Sequence, residues 1–166
     1  VAASDLTAAR LRELLDYDRE TGVFTWRQSR PKAVSGRRAG CISKTLGYEM
    51  IGVEGVRYYA HRLAILHVTG EWPTHQVDHL DGLRSNNCYA NLRDVAVGIN
   101  AQNMRHARKH GKSGLLGANW NQRQKNWRAI ITVDDKQTQI GTYATAEEAH
   151  AAYLEAKRRM HQGCTI

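Results

Sequence analysis

The 166 residues hold only three cysteines, Cys41, Cys88 and Cys164. They are odd in number and widely spaced, and none forms a Cys-x-x-Cys pair. That excludes a disulfide framework and a cysteine-based zinc site, and it suits a reducing cytoplasm. No apolar run approaches the roughly 20 residues a membrane-spanning helix needs, and the first residues show no signal-peptide pattern. A soluble protein that does not engage membranes is expected. Acidic residues are missing from two long stretches. None occurs between Glu20 and Glu49, where Arg27, Arg30, Lys32, Arg37, Arg38 and Lys44 fall, and none occurs from Val95 to Val133, where Arg105, Arg108, Lys109, Lys112, Arg123, Lys125 and Arg128 fall. The formal charge of +8 is therefore segregated, and segregated positive charge favours a polyanionic partner such as nucleic acid.

What is present reads as an ordinary globular chain, with 42% hydrophobic and 24% charged residues, long enough for one medium domain or two small ones. Apolar residues at helical spacing predict a helix over Leu6–Leu15, with Asp5 as its cap. Gly22 then punctuates, and residues 23–26 read as a strand. A loop is expected from Gln28 to Gly40. Residues 47–53 and 56–60 read as the arms of a hairpin turned at Glu54-Gly55. A short helix over 61–68 is stopped by Gly70 and Pro73, and a further helix is expected from about Val97 to His110. Three strands follow, at 116–121, 127–133 and 138–143. A final helix over 145–161 opens on a capping box made by Thr145 and Glu148.

The densest chemistry lies between the two acid-free stretches. Val77-Asp78-His79-Leu80-Asp81-Gly82 is followed by Asn86-Asn87, by Asn91-Leu92-Arg93, and then by Asn100 and Asn103. Tyr58-Tyr59-Ala60-His61-Arg62-Leu63-Ala64 and Gly70-Glu71-Trp72-Pro73 precede it. From about Leu14 to Asn103 the chain resembles the HNH endonuclease family, particularly its phage and intron-encoded homing enzymes. The resemblance implies a ββα-metal fold, and a home in a bacterial or phage-infected cell. It implies His79 as the general base that deprotonates water, and Asn91 as the asparagine that holds the loop and orients the histidine. Asp78 and Asn100 are implied as the protein ligands of Mg²⁺ or Mn²⁺. Asn100 stands where many members carry histidine, so this is an H-N-N variant.

The residue types suit that chemistry independently. Imidazole supplies a base near neutrality, and oxygen ligands suit a hard divalent cation that neutralises charge building on a phosphodiester. Asn86 and Asn87 read as loop-shaping turn formers, and His61, His67 and His75 as structural or DNA-proximal. A zinc site from His75, Asp78, His79 and Cys88 lacks a second cysteine pair, and no structural zinc is expected.

Beyond Ser113, the succession Gly117-Ala118-Asn119-Trp120, Asn126-Trp127-Arg128-Ala129-Ile130 and Ile140-Gly141-Thr142-Tyr143 leads into Thr145-Ala146-Glu147-Glu148-Ala149. This resembles the AP2 domain, which implies a three-stranded sheet laid into the DNA major groove with a helix behind it. Strand alternation puts Arg128, Ile130 and Thr132 on the face opposite Trp127, Ala129 and Ile131. On the resemblance, Asn119, Asn121, Arg128, Thr132 and Gln139 would face the groove, and Arg123 and Lys125 would lie near phosphates.

The reading is an α+β protein with an N-terminal helix, a hairpin and a ββα-metal core, followed by a three-stranded antiparallel sheet and helix. Residues 1–108 would form the nuclease domain with its motif core at 75–107, residues 109–112 a basic linker, and residues 113–166 the AP2-like domain. The expected activity is metal-dependent hydrolysis of double-stranded DNA. Two alternatives stay open: a catalytically silent DNA-binding protein, and a protein that binds or cleaves RNA.

Overall fold

The computed structural model describes residues 6–29, 31, 33–97, 102–104, 107, 112–133, 136–161, 164 and 165. The chain divides into two compact units, Val1–Ala96 and Val97–Ile166. Both are mixed α and β, and among the described residues there are three α-helices and several small antiparallel sheets.

In the first unit, α1 spans Ala8–Leu14 and is capped by Thr7, whose hydroxyl accepts the Arg10 N–H at 3.2 Å. A cap of this kind contributes about 1 kcal/mol. The cap expected at Asp5 lies outside the described residues. The helix is shorter than its apolar spacing predicts, because Leu15 turns extended (φ −134°, ψ 137°) and enters β1, Leu15–Tyr17. That strand pairs antiparallel with β2, Phe24–Trp26, matching Leu15 with Trp26 and Tyr17 with Phe24. The pairing seals Leu15 and Phe24 almost completely from solvent.

The segment expected as a loop over 28–40 is irregular but anchored. Thr25 bridges to Arg38, and Ala33 and Ala39 are buried. It runs into β3, Cys41–Ile42, which edges a sheet with β4, Glu49–Val53, and β5, Val56–Tyr59. The β4–β5 turn places both Glu54 (φ 51°) and Gly55 (φ 84°) in the left-handed region, as the expected two-residue hairpin turn requires. Helix α2, Ala60–Thr69, follows and ends on Gly70 at φ 89°, whose N–H bonds the Leu66 carbonyl. Arg12 on α1 donates Nε and Nη2 to the His67 carbonyl at 2.9 and 2.6 Å, satisfying an acceptor that the helix end leaves open. Leu11, Leu15, Phe24, Ile51, Val53 and Leu63 form the centre of this core.

Strand β6, Gln76–His79, and β7, Leu92–Val95, make a separate antiparallel pair. The loop between them returns through a 3₁₀ turn at Tyr89–Asn91.

The second unit contains β8, Ala118–Asn121, β9, Asn126–Val133, and β10, Lys136–Tyr143, with β9 in the middle. Helix α3, Ala146–Met160, packs Ala149, Tyr153 and Ala156 against Ala129 and Ile131. Its capping box is complete: Thr145 accepts the Glu148 N–H, and the Glu148 carboxylate accepts the Thr145 N–H. Gly117, at φ +76°, lies so close to α3 that an added Cβ would stand 2.0 Å from Tyr153 Cγ. The helix expected over 97–110 falls largely outside the described residues.

Candidate active site

Asp78 and His79 are adjacent on β6, so strand alternation sends their side chains to opposite faces, and both are buried, at 7% and 5% exposure. The register sets Asp78 opposite Arg93 and His79 opposite Leu92. Arg93 closes the pair with Nε and Nη2 on Asp78 Oδ2, at 2.9 and 2.7 Å. A buried carboxylate requires such a partner, because leaving its charge unpaired costs several kcal/mol.

Asn91 pins the loop that follows His79. Its Oδ1 accepts the Asp81 N–H at 3.0 Å, and its Nδ2 donates to Asp81 Oδ1 at 3.0 Å and to the Asn86 carbonyl at 2.9 Å. Its own carbonyl accepts the Leu80 N–H at 2.9 Å. Asn91 thus ties both ends of the loop, and its hold on the residue after His79 is through backbone. Asn86 donates to Asp81 Oδ2 at 2.6 Å, which makes it the loop-shaping residue its sequence position predicts. Partial burial opposes the charge on Asp81. The hydrogen bonds from Asn86, the Leu83 N–H and Asn91 outweigh it, and the carboxyl lies below the ordinary aspartate range.

Asn87 differs from the loop-shaping reading. It is 1% exposed, and its Oδ1 lies 3.4 Å from His79 Nε2, while its Nδ2 donates to Glu49 Oε2 at 3.0 Å. Glu49, itself buried, takes both Arg38 Nε and Nη2 on Oε1 at 3.0 and 2.9 Å. Asn87 is braced from behind by the β1–β2 hairpin. Tyr17 donates its hydroxyl to the Asn87 carbonyl at 2.6 Å, and Gly22 at φ +72° presses backbone to backbone against Asn87 and Cys88. Burial holds the Tyr17 phenol protonated by raising its pKa.

One signal for Glu49 was available in the sequence. It shares inward parity with Ile51 and Val53 on β4, so a charged residue stands where the alternation calls for a core residue. For Asn87 there was none, because its neighbours lie far away along the chain.

His61 completes the surroundings. Its ring meets His79 edge-on at 5.2 Å and stacks on Tyr59 at 5.3 Å, with Tyr48 at 5.1 Å. Burial, then His79 and Arg62, push its pKa down to about 3, so it is neutral. Burial also lowers the His79 pKa, against the opposing pull of Asn87, Asp81 and Asp78. A neutral imidazole beside a carboxylate can accept a proton from water.

Asn100, the second expected metal ligand, lies outside the described residues. Among the described residues no three His, Cys, Asp or Glu side chains gather as a cation site. The expected ligand pair, one carboxylate and one amide, is not of that kind. Asp78 supplies a hard oxygen donor next to His79, which fits a divalent cation.

The three-stranded sheet brings the other predicted residues together. Register matches Asn119 and Thr142 with Arg128, Asn121 with Asn126, Gln139 with Ile130, and Gln137 with Thr132. Asn119, Asn121, Arg128, Thr132 and Gln139 therefore share the face opposite Ala129 and Ile131. Arg123 and Lys125 lie exposed on the β8–β9 turn, and Lys112 is also exposed. Arg105, Arg108 and Lys109 lie outside the described residues. No helix of the described residues is long and apolar enough to cross a membrane.

The family model described as HNH endonuclease matches residues 58–102. Over 61 residues the chain is 36% identical to Protein 3.8 of Escherichia phage T7; the match takes in 37% of this chain and 50% of that protein. The chain thus spans about half the length of that curated relative. A solved structure described as "DNA binding and cleavage by the HNH homing endonuclease I-HmuI" aligns over 90% of this chain and 88% of its own, at 23% identity and a TM-score of 0.42. Asp78, His79 and Asn91 all lie within the residues that match the HNH endonuclease family model.

Proposed function

We propose that this protein is a divalent-metal-dependent endonuclease that hydrolyses phosphodiester bonds in double-stranded DNA. The observation that carries the reading is the placement of buried His79 next to Asp78 at the end of β6, followed by a loop that Asn91 ties, inside residues that match the HNH endonuclease family model. His79 acts as general base. It takes a proton from water, whose oxygen bonds to phosphorus as the bond to the 3′-oxygen breaks. The departing 3′-oxygen takes a proton from solvent, so the products are a 3′-hydroxyl and a 5′-phosphate. Asp78, with Asn100 as its partner by resemblance, would hold Mg²⁺ or Mn²⁺. When bound, that cation neutralises the charge building on the phosphate.

The second unit is read as an AP2-like DNA-binding module. Support comes from the order of its motifs and from the polar sheet face that carries Asn119, Asn121, Arg128, Thr132 and Gln139. Arg and amide side chains suit base edges. The turn residues Arg123 and Lys125, and the basic stretch Arg105, Arg108, Lys109 and Lys112, suit phosphates.

The test is incubation of the full chain with supercoiled plasmid and Mg²⁺, with His79→Ala as control. Nicked or linear product from the wild type is expected. The variant should cleave about 10²–10⁴-fold more slowly with duplex affinity retained. Equal cleavage by both proteins removes His79 as the base. Binding without cleavage leaves a DNA-binding protein, and faster cleavage of RNA than of DNA reassigns the substrate.

A further inference from the structure

The hydrogen-bond chain behind His79 has a direction, and that direction is set at its far end. Arg38 is a donor only, and it directs Nε and Nη2 at Glu49 Oε1. The Glu49 carboxylate is an acceptor only, so its Oε2 must receive a hydrogen from Asn87, as the 3.0 Å contact from Nδ2 shows. An amide that turns its NH₂ toward Glu49 turns its oxygen toward His79, and Asn87 Oδ1 lies 3.4 Å from Nε2. An oxygen there accepts, so Nε2 carries the hydrogen. A neutral imidazole has one N–H, and the lone pair is then on Nδ1.

We propose that Arg38, Glu49 and Asn87 form a positioning relay that holds His79 in the Nε2–H tautomer and so makes Nδ1 the atom that accepts the proton from water. The assignment of a catalytic purpose rests on the reading of His79 as general base; the tautomer itself does not. Glu49 and Asn87 are 2% and 1% exposed, so water does not substitute for either partner. Asn87 cannot relax away, because Tyr17 and the Gly22 backbone hold its main chain from the other side.

The relay makes an unusual demand on one atom. In Glu49→Gln the new amide must still offer its oxygen to Arg38, which can only donate. Its NH₂ then faces Asn87, the Asn87 amide turns over, and its own NH₂ faces His79 Nε2. That nitrogen becomes the acceptor and the hydrogen moves to Nδ1. A near-isosteric change at a residue that does not touch the imidazole thus inverts its tautomer. In a Ser-His-Asp triad, a carboxylate-to-amide exchange that yields the wrong tautomer costs about 10⁴-fold.

The experiment is nitrogen NMR of the histidine rings in the full chain, without metal or DNA, for wild type, E49Q and the double variant R38M/E49Q. It is paired with plasmid cleavage, duplex binding and thermal melting. In wild type the His79 hydrogen is expected on Nε2, and in E49Q on Nδ1. E49Q should lose at least about 10²-fold in cleavage rate while binding duplex as wild type does. In R38M/E49Q the introduced amide is no longer forced to turn its oxygen toward a donor, so the original tautomer and part of the cleavage rate should return. Simple structural damage gives no such rescue. A wild-type hydrogen on Nδ1, or an unchanged tautomer in E49Q, overturns the relay. An inverted tautomer with full cleavage supports the relay and overturns His79 as base instead.

Discussion

Arg93 Nε and Nη2 converge on a single oxygen of Asp78, at 2.9 and 2.7 Å, across the β6–β7 pair in which the two residues stand opposite each other. The pair neutralises a carboxylate that is 7% exposed and that is proposed to bind a cation. Arg93→Met removes the ion-pair partner of that buried carboxylate, and stability without metal should fall by about 3 kcal/mol. Mg²⁺ or Mn²⁺ should recover part of the loss, because a ligand that binds only the folded state stabilises it. Urea unfolding with and without metal measures this. The double variant Asp78→Asn/Arg93→Met should show no metal response, and a response there would place the cation elsewhere.

Gly22 presses against the residue that faces the His79 ring. Its φ is +72°, and a Cβ would stand 2.3 Å from both the Asn87 carbonyl carbon and the Cys88 nitrogen. Gly36 has a similar φ of +76° with nothing within 4 Å of an added Cβ. Both Gly22→Ala and Gly36→Ala carry backbone strain of about 1 kcal/mol or more. Only Gly22→Ala should also displace Asn87 and slow cleavage, by about tenfold or more, since small misplacements in an active site are costly. Equal rates in the two variants would separate the hairpin from the site.

Folding holds His61 neutral by burial, with its pKa about 3, whereas the unfolded chain titrates near the ordinary 6.5. Between those values the unfolded state binds a proton that the folded state refuses, so stability falls as pH drops from 6.5. The slope approaches about 1.4 kcal/mol per pH unit for one proton. Denaturant unfolding from pH 7 to pH 4 should be flatter in His61→Phe, which keeps an aromatic ring against Tyr59 and His79. Identical pH slopes in the two proteins would contradict a buried neutral His61.

On the sheet face of the second unit, Arg128 stands in register between Asn119 and Thr142. If it reads a guanine, Arg128→Ala should cost about 1–3 kcal/mol, concentrated at one position of the site. Arg123→Ala and Lys125→Ala on the turn should instead weaken all duplexes alike and make the salt slope shallower by roughly 0.9 per phosphate contact. Binding to cognate and scrambled duplexes over a salt series measures both. Unchanged affinity and slope in all three variants would remove this face from DNA binding.

Local signals were legible where one segment contains its own reason. The Glu54-Gly55 turn, the Gly70 stop, the Thr145–Glu148 capping box and the split of β9 into Arg128 and Ala129 faces all follow from residues a few positions apart. The adjacency of Asp78 and His79 belongs to the same class, although their place on a strand was not read from the sequence. The end of α1 does not, since Leu15 keeps helical spacing but leaves the helix to pair with Trp26. The partner of Asp78 is likewise invisible until β6 and β7 align Asp78 with Arg93.

The amino-acid sequence by itself determined which groups are available for chemistry: a histidine beside an aspartate, an asparagine to tie the loop, and two basic stretches without acids. Those are properties of residue type and short spacing, and they survive in any fold that keeps the segments intact. Only the tertiary structure decided that Asn87, rather than its neighbour Asn86, meets the His79 ring, and that Glu49 and Arg38 stand behind it. Residues 38, 49, 79 and 87 come from separate elements, and no periodicity along the chain encodes their meeting. Core packing drives them together, and the cost of burying a polar group without a partner then fixes which atom faces which.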